Sequence, residues 1–114
     1  MLCWNTFKFC TKFCESCADA CLLSPARIPQ GLTVAATDET DTRWADSNFG
    51  ACVDLYAPGV DILSAMFTSP SATIVASGTS MACPAVSGVA AQYLQVREPP
   101  KSPQKLQSSL RRRA

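Results

Sequence analysis

The chain of 114 residues contains no histidine. That absence removes the group that most often takes the proton from a serine nucleophile. Charge is scarce too. Charged residues are 17% of the chain and the net charge is +1. Such a balance argues against electrostatic capture of nucleic acid or of an anionic membrane as the main role. No apolar run is long enough to span a bilayer. The opening residues, Met1-Leu2-Cys3-Trp4-Asn5-Thr6-Phe7-Lys8, lack the basic stretch and apolar run of a signal peptide. Apolar residues are plentiful, at 47%, enough for the core of one small domain.

The most informative stretch is Gly78-Thr79-Ser80-Met81-Ala82-Cys83-Pro84-Ala85-Val86-Ser87-Gly88. Gly78 and Thr79 suit a tight turn out of an extended segment. From Ser80 on, Met81, Ala82, Val86, Val89, Ala90, Ala91 and Leu94 recur at helical spacing and predict a buried helix face. Pro84 is placed in the first turn, where no backbone donor is needed. Ala82, Ala85, Ser87 and Gly88 are small enough for close packing against a sheet. At such a helix start Thr79, Ser80 and Met81 lie among free N–H donors at the positive end of the helix dipole. Those features stabilise a developing oxyanion. A serine there is also a good N-cap, a purely structural role.

The stretch resembles the active-serine motif of the subtilisin-like serine proteases, Gly-Thr-Ser-x-Ala-x-Pro followed by a small-residue helix. The likeness continues upstream. Asp19-Ala20-Cys21, Ser24-Pro25-Ala26-Arg27, Leu32-Thr33-Val34-Ala35-Ala36-Thr37-Asp38, Ser47-Asn48-Phe49-Gly50 and Cys52-Val53-Asp54-Leu55-Tyr56-Ala57-Pro58-Gly59 are similar to the proteinase K-like branch, in its order and spacing. The resemblance covers residues 19–110. It implies an α/β fold: the C-terminal part of a subtilisin-like parallel sheet, with a β-hairpin leading into the buried active-serine helix.

The resemblance also implies an endopeptidase with a Ser-His-Asp triad, in which Ser80 is the nucleophile. The family order is Asp, His, oxyanion Asn, then Ser. No residue here maps onto the first three. Asp54 and Asp61 do not fit the acid's place in that order, and Lys8, Lys12, Lys101 and Lys105 lie outside the core of the match. Ala85 stands where relatives usually have a histidine that is not the base, and Cys83 where threonine is common. Related proteases join cysteines at the positions of Cys21 and Cys52; closing that loop would stabilise by about 3–4 kcal/mol, against the alternative of two buried thiols. In the same branch the aspartate matching Asp54 helps bind calcium, with carbonyls at the positions of Pro29 and Gly31. The alternative is an Asp54 paired with an arginine or capping a turn. No cofactor is required for the chemistry; a structural calcium is the one candidate. The family is usually secreted, acts on protein or peptide substrates and can meet a propeptide.

Residues 1–18 are rich in cysteine and aromatics and match nothing in the family. Cys3, Cys10, Cys14 and Cys17 include a Cys-x-x-Cys pair, read either as a metal or redox knuckle or, without a second Cys/His pair downstream, as unrelated sequence. Further along, Leu32–Ala36 and Val53–Tyr56 read as strands. Ile62–Phe67 and Thr73–Ser77 read as a hairpin around Ser69-Pro70-Ser71. A helix is expected from Ser80 to Val96, and another after Ser102-Pro103. Asp38, Glu39, Asp41 and Asp46 read as a solvated loop, and residues 111–114 as a basic tail. The expectation is a chain that carries the nucleophile without its base. It would be inactive alone and would leave apolar faces uncovered. The rival readings are a non-catalytic interaction protein that binds a protease or propeptide, and a cysteine-rich metal-binding protein.

Overall fold

The structure, a computed structural model, describes residues 9–10, 17–96 and 102–112. Its centre is a three-stranded parallel sheet in the order β1-β2-β3, made of Phe9–Cys10, Leu32–Thr37 and Leu55–Pro58. Every residue of β2 is buried, as a parallel strand covered on both faces must be. Alternation sorts its side chains. Leu32, Val34 and Ala36 join Leu55 and Ala57 in the main core, under α1 (Thr79–Val96) and α2 (Pro103–Arg111). Thr33 turns the other way, and its hydroxyl donates to the Ala26 carbonyl at 2.8 Å. Beyond β3 the chain leaves as an antiparallel hairpin, β4 (Ile62–Ala65) and β5 (Thr73–Ala76), with Ile62 opposite Ala76.

Expectation and structure agree on the α/β class, the hairpin and both helices. The α2 start is as predicted: the Ser102 side chain accepts from the Lys105 N–H, with Pro103 at the first helical position. Several details differ. β3 begins at Leu55 rather than Val53, because the Val53 N–H closes a turn on the Gly50 carbonyl. Pro84 is the sixth residue of α1, past the first turn, so its ring removes the donor that would have bonded the Ser80 carbonyl. On α1, Ala82, Val86 and Ala90 are buried as predicted, but Val89 and Ala91 are exposed. The apolar residues of α1 extend beyond the face that the sheet covers. Gly88 and Ala85 are likewise exposed, and nothing lies within 4 Å of a Cβ placed on Gly88.

Two segments outside residues 19–110 touch the domain. Phe9–Cys10, within the segment read as unrelated, pair in parallel with Leu32–Thr33. Arg111, read as the start of a solvated tail, belongs to α2 and forms an ion pair with Asp54. Cys3, Cys14 and Arg113 lie outside the described residues. Among the described residues no group of histidine, cysteine and carboxylate side chains could hold a metal, and no helix is long and apolar enough to cross a membrane. The acidic loop is an ordered turn at Asp38. Hydrogen bonds from the Thr40 side chain and backbone, and from the Thr42 N–H, hold the Asp38 carboxyl below its ordinary range.

Leu106 is 2% exposed and joins α2 to the core. Leu106→Ala is expected to cost about 2–5 kcal/mol in denaturant unfolding. Leu63, on the exposed hairpin, should tolerate alanine within about 0.5 kcal/mol.

Candidate active site

The hairpin returns to the place it left. At its base the Asp61 N–H donates to the Ser77 hydroxyl at 2.9 Å, and the Gly78 N–H donates to the Gly59 carbonyl at 2.7 Å. Gly59 has no room for a side chain. An added Cβ would lie 2.7 Å from both the Ala36 Cβ and the Gly78 carbonyl oxygen. This close approach sets the first turn of α1 against the carboxyl end of β3. In open α/β sheets that end is where ligands meet the fold.

Gly78 caps α1: its carbonyl accepts from Met81 at 3.0 Å and from Ala82 at 3.3 Å. Ser80 is therefore the second helical residue rather than the cap, and it is partly exposed. Its backbone N–H falls in the turn whose donors have no acceptor within the helix. The Met81 N–H, expected to support an oxyanion, donates to the Gly78 carbonyl. Thr79 is partly buried at the first position. A hydroxyl held on rigid backbone beside the positive end of a helix can attack a carbonyl once a base removes its proton. With no histidine in the sequence, these residues do not supply the usual base.

Cys83, three residues on, is buried. Burial pushes its thiol above the ordinary value, which disfavours the reactive thiolate.

The remaining predicted residues sit elsewhere. Cys21 and Cys52 form a disulfide with Cα atoms 5.1 Å apart, tying the short 3-10 turn Ala20–Leu22 to the loop before β3. Asp54, Gly31 and Pro29 lie around the start of β2. The Asp54 carboxylate accepts from the Thr33 N–H at 2.7 Å and pairs with Arg111, and the Gly31 carbonyl accepts from Gln107 at 2.8 Å. The Arg111 contact is the arginine pair that was the alternative reading for Asp54. Gly59, Ser77, Gln107 and Arg111 were not singled out from sequence. The signal for the last two was a carboxylate on an apolar strand in need of a partner, and an i, i+4 polar pair beside Leu106 and Leu110.

Gly59→Ala should destabilise by about 1–3 kcal/mol, because the backbone must move. Gly88→Ala, with nothing near its Cβ, should stabilise by about 0.5–1 kcal/mol. Chemical denaturation of the two variants reads both. Alkylation at neutral pH followed by peptide mass mapping should modify exposed Cys17 and spare Cys83.

The model of the subtilase family matches residues 16–114. Among curated relatives, the chain is 57% identical over 77 residues to the extracellular serine proteinase of Thermus sp. (strain Rt41A), covering 68% of this chain and 19% of that protein. It is 56% identical over 81 residues to alkaline serine exoprotease A of Vibrio alginolyticus, covering 71% and 15%. Its fold superposes on a cold-adapted subtilisin-like serine proteinase of known crystal structure with a TM-score of 0.81 and 48% identity, over 89% of this chain and 36% of that one. The chain thus spans only 15% to 19% of the length of these curated relatives. With the family matched over most of its length, the chain belongs to the subtilase family of serine proteases.

Proposed function

We propose that Ser80 is the acyl-forming nucleophile of a subtilisin-like endopeptidase whose base, acid and oxyanion asparagine come from outside these residues. One observation carries the reading: Ser80 sits on the first turn of α1, held at the carboxyl end of β3 by the Gly59–Gly78 contact. In this reading the Ser80 Oγ adds to the scissile carbonyl of a protein or peptide. Its proton passes to the external histidine and then to the leaving amine. The Ser80 backbone N–H donates to the oxyanion, and water releases the acyl group. A propeptide is a further partner and the working place is extracellular, in keeping with the names of the relatives and with the Cys21–Cys52 disulfide.

A second, non-catalytic reading has its own support. An apolar groove of about 510 Å³ lies between β3, α1 and α2, lined by residues including Tyr56, Pro58, Val89, Tyr93 and Val96. Val89 and Val96 are 56% and 81% exposed. Such a face suits a protein partner.

Casein digestion by this chain, with Ser80→Ala beside it, tests the dependence on an external base. The expected result is no cleavage that depends on Ser80. Ser80-dependent cleavage would mean that a base is present among these residues.

A further inference from the structure

The Asp54 cluster is a closed polar contact at the edge of the core. Asp54 keeps only 10% of its side chain exposed. One carboxylate oxygen takes the Arg111 guanidinium. The other takes the Thr33 N–H at 2.7 Å and the Gln107 amide at 3.4 Å. The same Gln107 amide donates to the Gly31 carbonyl at 2.8 Å. Gln107 and Arg111 are four residues apart on α2, so they lie on one face. Leu106 and Leu110 beside them are buried against the sheet. The apolar pair docks α2, and the polar pair closes over the oxygens at the start of β2 and just before β3.

Calcium binds through six to eight oxygens, carboxylates and carbonyls foremost. Asp54 and Gly31 offer oxygens of that kind, but as folded they do not fit the ion. The carboxylate already faces a fixed positive charge, and the Gly31 carbonyl is occupied by the Gln107 amide. A divalent cation placed on Asp54 would sit against the guanidinium, and like charges at that range repel.

We infer that Arg111 and Gln107 take the place of a cation at Asp54 and Gly31, so that the junction between the sheet and α2 is closed by the chain itself and holds without metal. The inference does not depend on the chemistry of Ser80. It assigns α2 a second task beside filling the core: its last turn supplies the charge that neutralises Asp54. Removing that charge uncovers an oxygen set to which calcium can then bind.

Thermal unfolding of the full chain in EDTA and in millimolar calcium chloride tests this. The unsubstituted protein is expected to melt at the same temperature in both. Arg111→Gln should melt lower in EDTA by about 4–8 °C, the shift that follows from roughly 1 kcal/mol in a domain of this size, and calcium should restore part of the loss. Arg111→Lys keeps a cation and should stay indifferent to calcium. If Arg111→Gln does not hold its fold in EDTA, circular dichroism during a calcium titration gives the same reading, and recovery of the signal is the expected result. A calcium-dependent melt of the unsubstituted protein would overturn the inference. So would an Arg111→Gln protein as stable as the parent, or a loss that calcium does not repair.

Discussion

The hydrogen bond from the Gly78 N–H to the Gly59 carbonyl is the contact on which the site depends. A strand, a hairpin and a helix meet there, and no side chain fits between them. Because Gly59 lies against Ala36 as well as Gly78, the start of α1 is fixed to the buried middle strand of the sheet and not merely to the hairpin. The hairpin itself can be exposed and apolar, with Phe67 92% exposed at its turn, without loosening Ser80. Placement of the serine is a property of the core.

Placement and activation are separate in this chain. The helix start gives Ser80 a rigid backbone and an electropositive setting. Removing the hydroxyl proton of a serine is the task of a base. On the same helix, burial holds the Cys83 thiol above its ordinary value. The apolar groove along β3 and α1 leaves Val89 and Val96 exposed. The Cys21–Cys52 bridge and the Ser47 hydroxyl, which accepts from the Ala36 N–H at 2.9 Å, brace the other side of β2.

What could be read in the sequence was local. The hairpin and α2 announce themselves by β-runs around Ser-Pro-Ser and by Ser-Pro before an amphipathic turn. The Ser80 motif announces itself by its small residues. What could not be read depends on distance along the chain. Gln107 meets Asp54 across 53 positions and Gly31 across 76, and no local pattern encodes such pairs. Arg111 reads as part of a charged tail because the three arginines from Arg111 to Arg113 are uniform in sequence, while the helix turns Arg111 onto Asp54. Val89 looked like core because it is apolar and helically spaced, and only the position of the sheet decides which apolar residues of the helix are covered.

The claim that Ser80 is placed but not activated by these residues has a direct test. The chain would be treated with a fluorophosphonate at neutral pH, and Ser80 examined for a phosphonyl adduct by mass spectrometry. The account predicts an unmodified Ser80 under conditions that label a complete subtilase fully. A stoichiometric adduct at Ser80 would contradict it, because it would require a working base within a chain that has no histidine.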